Sequence, residues 1–277
     1  MTDNTRLLDA LKSRFGDIGH PQPDLDLGAL TAMATRGSCR SFKPDMVPPD
    51  LLRILCATAL SSPSKSDLQQ RDIIELRAED KRRDLAALIP GQAWVNDAPT
   101  ILIFCGNNRR QRLLHDWHDI PFANDHFDAV FNSIADAAIA LGAFVTAAEA
   151  MGLGCCPISA VRNEAGAVSD MLDLPDHVFP FAGLAVGYPT QPPQISMRLP
   201  LGVTCHVDRY SEDGLQQAVE SYDKSRATHR PYAQQRFPDR FGEADDYGWS
   251  QDKARQYSEA ERADFGAFIK AKGFDLR

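Results

Sequence analysis

Leu174-Pro-Asp-His-Val-Phe-Pro-Phe-Ala-Gly-Leu-Ala-Val-Gly-Tyr-Pro189 is the stretch from which the fold of this chain is read. From Val178 to Val186 it is apolar at almost every position, as a strand buried on both faces is, and Gly187-Tyr188-Pro189 closes it. Working upstream, Thr100-Ile-Leu-Ile-Phe-Cys105 is a second buried strand, and Asp72-Ile-Ile-Glu-Leu-Arg77 alternates as a half-buried one. Helices are predicted between and around these strands. They fall at about 26–35, from Leu51 through Leu52, Leu55 and Ala59 to the stop at Ser61-Ser62-Pro63-Ser64, at 81–89, in an Ala-rich central run over 127–151, and at 163–172. Residues 109–125 read as a long loop. Strands separated by helices point to an α+β or α/β sheet domain, with a core ending near Tyr210.

Both ends of the chain differ from this middle. Residues 1–25 read as a short amphipathic helix and a Pro-containing linker, an N-terminal extension to the domain at 26–210. Beyond it, 216–230 can be helical, whereas 231–249 is dense in Arg, Asp, Phe, Tyr and Trp with few aliphatics. Such a segment lacks the material for its own core, so 211–277 is expected to be an arm lying on a larger surface, such as that of a second subunit.

The 277 residues are 43% hydrophobic and 25% charged, an ordinary globular mixture. Lys+Arg 30 against Asp+Glu 38 leaves a net charge of -8, which opposes nucleic acid or anionic lipid as a partner but leaves room for a local pocket for one small anion. Six cysteines, Cys39, Cys56, Cys105, Cys155, Cys156 and Cys205, show no CxxC spacing and read as reduced thiols. The N-terminus lacks a secretory pattern. The longest apolar region, 134–148, is interrupted by Asp136 and is shorter than the ~20 residues of a membrane span. The expectation is a cytoplasmic protein.

Four short patterns could carry chemistry. In Arg36-Gly37-Ser38-Cys39-Arg40-Ser41-Phe42, an extended backbone would place Arg36, Ser38 and Arg40 on one side, two guanidiniums flanking a hydroxyl suited to phosphate oxygens, with Cys39 turned away. Ser61-Ser-Pro-Ser-Lys-Ser-Asp-Leu-Gln69 offers hydroxyls, Lys65 and Asp67 after a helix end. Small residues in Met151-Gly-Leu-Gly-Cys-Cys-Pro-Ile-Ser-Ala160 let backbone approach a flat ligand, and Met197-Arg198-Leu199-Pro200 follows a proline-rich turn. Taken singly, the first is more often a solvated loop and the second an ordinary helix stop. His115-Asp116-Trp117-His118-Asp119 supplies no third ligand at metal-site spacing and reads as solvated or capping residues.

In this order the patterns resemble the FMN-dependent nitroreductase family, and within it the oxygen-insensitive NADPH nitroreductases and NADPH-flavin oxidoreductases. The likeness runs from Arg36 to about Tyr210 and is most specific in Leu174–Pro189 with Arg198-Leu-Pro. It implies a mixed β-sheet flanked by helices, a homodimer binding FMN between subunits, and NAD(P)H as reductant. The implied reaction is ping-pong hydride transfer through flavin N5 to a small oxidant, a nitroaromatic, quinone or flavin, with no catalytic side chain. It implies further that Arg36 and Ser38, with the intervening Gly37 and neighbouring Cys39, hold the FMN phosphate together with Arg198, and that Arg40 reaches the N1/O2 edge. Pro63, Ser64, Lys65, Asp67 and Gln92 would contact the ribityl chain or ring, and the backbone of Pro157, Ile158, Ser159 and Ala160 would line the ring. The chain departs from the pattern at Ser196, where the branch has Lys, at Asp67, where many members have Asn, and at Ser159-Ala160, where paired glycines are usual. Lys65 is the candidate to replace the missing cation. A specialised reaction on the same fold, or a non-catalytic FMN-binding protein, is the alternative.

Overall fold

The computed structural model describes residues 3–16 and 28–277. The linker of the N-terminal extension, 19–23, and the first two residues of the helix expected over 26–35 lie outside the described residues. The elements are α1 (Asp3–Phe15), α2 (Gly28–Thr35), α3 (Pro49–Leu60), β1 (Arg71–Leu76), α4 (Glu79–Leu88), β2 (Thr100–Asn107), α5 (Arg109–His118), α6 (Phe127–Ala150), β3 (Gly154–Ile158), α7 (Ala165–Met171), β4 (Val178–Gly187), α8 (Leu201–Thr204), α9 (Leu215–His229), α10 (Pro238–Phe241), α11 (Trp249–Gln256) and α12 (Phe265–Ala271). They form two compact units: one contains Ile195–Glu261 together with α1 and α2, the other contains Arg36–Gln194 and Arg262–Arg277.

The second unit holds the sheet, ordered β1-β2-β4-β3. All three ladders are antiparallel, and an isolated parallel bridge joins Ser38 to Cys155 of the edge strand β3. The two apolar runs read from sequence are the central strands β2 and β4, which is why they lack alternation. Pro180 cannot donate to a ladder, and the β2–β4 register shifts beside it, between Phe104 and Cys105. Each face of the sheet has its own core. On one, α3 and α6 pack Leu52, Leu55, Phe144 and Ala148 onto Leu102, Phe104 and Leu184; on the other, Leu85 and Val168 of α4 and α7 cover Ile101, Ile103 and Ala185.

α6 passes the length and hydropathy test for a membrane span, yet much of it is buried against the sheet and α3. The segment Arg262–Arg277 completes this unit: Ile269 and Phe274 bury against Val130 and Phe179, and the Phe127 N–H donates to the Arg277 carbonyl. Two expectations change. Residues 109–118 are the helix α5, not loop; none of its residues is buried, so no apolar stripe announced it. Residues 154–158 form the edge strand β3, which a five-residue run containing Pro157 did not reveal.

In the first unit, Leu7 and Ala10 of α1 pack on Ala34 of α2 with Leu11 and Ile195. The aliphatic-poor segment after α9 is anchored by stacked arginines and aromatics. Arg226 lies over Tyr232 at 5.0 Å, Tyr232 meets Tyr247 edge-on at 5.6 Å, and Arg255 lies over the rings of Tyr247 and Phe241. Its composition hid this anchorage because guanidiniums replace the missing aliphatic surface.

Candidate functional site

After α2 the chain runs extended along β3, with the Cys39 N–H donating to the Cys155 carbonyl at 2.9 Å. The period of two then sorts its side chains: Ser38 and Arg40 are exposed, while Gly37 is buried. Gly37 is required there, since a Cβ would come within 2.4 Å of the Gln194 carbonyl oxygen. Cys39 faces inward, so close to Gly154 that a Cβ on that glycine would stand 2.6 Å from Cys39 Sγ. Burial raises the Cys39 thiol above its ordinary value.

Arg36 is not an open guanidinium. Its Nε and Nη2 donate to Glu149 Oε2 and Oε1 at 2.9 and 3.1 Å, a bidentate pair at the C-terminal end of α6. Glu149 thus fixes the arginine, and an anion arriving there must share or displace the carboxylate.

Arg40 is in no ion pair with a described carboxylate. Continuing the Ser38–Cys155 register by two residues brings it level with Pro157, and its charge lies near the Cys156 thiol. Burial raises that thiol, with nearby Arg40 opposing the shift. The Arg40 guanidinium also lies 6.0 Å from the Trp94 ring centroid, two residues from half-buried Gln92. At the end of β3, Pro157 and Ser159 are exposed while Ile158 and Ala160 are buried. Ser38, Arg40 and 157–160 therefore lie along one sheet edge, with Trp94 beside Arg40.

The other candidates lie elsewhere. Pro63, Ser64, Lys65 and Asp67 belong to the turn leading into β1, the opposite edge strand. That turn is tied to Asp136 of α6, whereas Arg36 is tied to Glu149 of the same helix, about 20 Å away at 1.5 Å per residue. Lys65 Nζ donates to Ser66 Oγ at 2.9 Å. Ser196 and Arg198 belong to the first unit, where Arg198 Nη1 folds back onto Ser196 Oγ at 2.6 Å. Buried Arg14 braces that turn, donating to the Ala34 carbonyl at 2.7 Å and the Ser196 carbonyl at 3.1 Å, while its own carbonyl accepts the Arg198 N–H.

Four residues of these surroundings were not among the sequence candidates: Arg14, Glu149, Asp136, and Arg71, whose Nη1 lies 3.6 Å from Asp136 Oδ2. Asp136 alone carried a signal, a lone charge inside an apolar helical run. His115 caps locally, its Nδ1 3.0 Å from the Ile120 carbonyl oxygen and its ring edge-on to Phe122.

A sequence model of the nitroreductase family matches residues 33–188, and one for the C-terminal domain of that family matches residues 196–277. The chain belongs to the nitroreductase family. Its curated relatives include an FMN reductase (NADPH) of Bacillus subtilis, 30% identical over 86% of this chain and 94% of that protein. An NADPH-flavin oxidoreductase of Vibrio harveyi is 30% identical over 70% and 79%. Among solved structures, NfrA2 of B. megaterium is 30% identical with a TM-score of 0.81, covering 90% of this chain and 98% of its own. An NADPH:FMN oxidoreductase of Vibrio harveyi, complexed with NAD+, is 25% identical with a TM-score of 0.78, covering 90% and 99%.

Proposed function

We propose that this protein is a cytoplasmic, homodimeric, FMN-dependent NAD(P)H oxidoreductase that reduces a small flat oxidant such as a nitroaromatic, a quinone or a flavin. The observation that carries the reading is the sheet edge where exposed Ser38 and Arg40 run alongside β3 with its exposed Pro157 and Ser159, in a chain that shares the nitroreductase fold over nearly its whole length. A hydroxyl, a guanidinium and an apolar proline surface suit a flat ring bearing an anionic tail, so the residues present fit FMN. Bound FMN supplies the redox chemistry, taking two electrons from NAD(P)H and delivering them to the oxidant. Arg36 and Ser38 would hold its phosphate. Arg40 would stabilise negative charge developing on the flavin, and the exposed end of β3 would line its ring.

The outer face of α6 supports the dimer. Phe131 and Ile139 are 56% and 42% exposed, and Ala138 and Gly142 beside them are also exposed, a helix face without charge. FMN placed between two such chains would meet the 157–160 edge of one and the 63–67 turn of the other, which accounts for the separation of the two groups within a single chain. The test is steady-state oxidation of NADPH and of NADH by FMN-loaded protein with a quinone acceptor. Turnover with at least one is expected. A protein that retains FMN but turns over with neither would sink the reductase reading, and one that binds no FMN would sink the flavoprotein reading.

A further inference from the structure

Asp136 is fully buried in the middle of α6, and Arg71, the first residue of β1, is 5% exposed beside it. Such a pair is seldom the most stable filling for a core, because two charges must leave water; apolar residues of equal volume often do as well or better. The surrounding bonds show what the pair holds. Asp136 Oδ1 accepts the Lys65 N–H at 3.0 Å and Oδ2 accepts the Gln70 N–H at 2.8 Å, so one carboxylate fastens both ends of 65–70. Arg71 Nη2 donates to the carbonyls of Leu60 and Ser62 at 2.8 and 2.9 Å, fastening the exit from α3. Arg71 Nη1 is 3.6 Å from Asp136 Oδ2, and neither Nη1 nor Nε donates a hydrogen bond.

Between these anchors the backbone takes a conformation it would not choose. Ser66, Asp67 and Gln69 have φ of 49°, 58° and 52°, the left-handed region that glycine occupies freely and other residues disfavour. None of the three is glycine, so bonds must hold the shape: within the loop the Gln69 N–H donates to Ser64 Oγ at 3.3 Å and Gln69 Nε2 to Asp67 Oδ1 at 3.1 Å, and the two Asp136 bonds pin its ends. Gln70 is locked as well, its Oε1 accepting from Asn108 Nδ2 at 2.7 Å and from Ser133 Oγ at 3.3 Å. The rim so held presents exposed Pro63, Lys65, Asp67 and Gln69, with half-buried Ser64 among them.

We propose that Asp136 and Arg71 are positioning residues of the flavin site, a buried clamp that holds the Ser61–Gln70 loop in the strained shape in which it meets the ribityl chain and ring. The proposal rests on the flavin reading above. A loop pre-set in its binding conformation loses less entropy when the ligand arrives, so releasing the clamp weakens binding without removing a contact atom.

The experiment compares the dissociation constants of FMN and riboflavin for the wild-type protein, Asp136→Asn, Asp136→Asn with Ser66→Gly, and Arg71→Lys. Asparagine keeps the shape of Asp136 but turns an NH2 toward one of the two amides, so that loop end is released. Asp136→Asn is expected to weaken FMN and riboflavin alike, about tenfold, because the loop addresses the part that the two share. Adding Ser66→Gly is expected to recover most of the loss, since glycine takes the left-handed conformation without the clamp; general damage to the core would not be repaired at an exposed loop residue. Arg71→Lys keeps the charge but not the fork that spans two carbonyls, and is expected to weaken both flavins about fivefold. It carries the test alone if Asp136→Asn does not fold. Folded variants that bind FMN within twofold of wild type overturn the clamp, as does a loss that Ser66→Gly leaves untouched. A wild-type protein that binds neither flavin overturns the flavin reading itself, a result distinct from unchanged binding in the variants.

Discussion

In the proposed flavin site, Arg36 and Glu149 would set the electrostatics of the anion end. The carboxylate holds the guanidinium by two bonds but also places a negative charge where a phosphate would approach. Replacing Arg36 with Ala removes both the fork and the cation, and FMN affinity is expected to fall tenfold or more, about 1.4 kcal/mol. Glu149→Gln acts in the opposite sense: the amide oxygen still accepts one arginine N–H while the competing charge is gone. FMN is expected to bind several-fold tighter, most visibly at low ionic strength, where screening is weakest. Titration of FMN fluorescence at two salt concentrations checks both signs, and a Glu149→Gln protein that binds FMN more weakly would show that orientation outweighs charge here. At this scale the sequence was informative wherever a local period decides direction, as it does for Ser38, Arg40 and inward-facing Cys39. It was silent on partners: Glu149 stands 113 residues from Arg36, and only the fold brings them together.

Among the elements, those that bury an apolar stripe were legible and those that do not were missed. β2, β4 and α6 announce themselves because their burial leaves a pattern; α5 buries nothing, and β3 is an edge strand of five residues with Pro157 exposed. The C-terminal segment around α12 was equally hidden, since its docking depends on a few residues at no regular spacing. His177 joins it to β4, donating its backbone N–H to the Lys272 carbonyl, with Nε2 2.9 Å from the Gly273 carbonyl oxygen. Burial holds the His177 imidazole below its ordinary 6.5, and Arg112 adds to that shift. The unfolded chain therefore binds the proton at a higher pH than the folded one, so this group's contribution is complete above 6.5 and is lost as pH falls toward the depressed folded value. Denaturant midpoints measured between pH 7.5 and 5.5 are expected to fall more steeply for wild type than for His177→Gln. Phe274→Ala probes the same docking by packing. The ring is 3% exposed and edge-on to Phe179 and His177, and its removal is expected to cost roughly 3 to 5 kcal/mol at all pH values.

For the molecule as a whole, the division read from sequence fell at residues 25 and 210, whereas contacts divide the chain after Thr35, Gln194 and Glu261. The difference comes from pairings that leave no local trace: Ala34 of α2 buries on Leu7 and Ala10 of α1, and Phe274 returns to the sheet. The proposed association of two chains rests on the charge-free outer face of α6, and Gly142 allows it to be tested cleanly. A Cβ built on Gly142 meets nothing within 4 Å, so its own chain leaves room for a side chain there. In an isolated chain Gly142→Leu should be neutral or stabilising by up to about 1 kcal/mol, because glycine is a poor residue for a helix interior. If α6 packs against its counterpart, the same leucine enters a space that the partner needs, and insertion into a close-packed contact is destabilising. Gly142→Leu is therefore expected to shift the sedimentation of the protein from dimer to monomer and to release FMN, while its helix content stays unchanged. A variant that remains dimeric, with FMN retained, would place the contact between chains on some other face than that of α6.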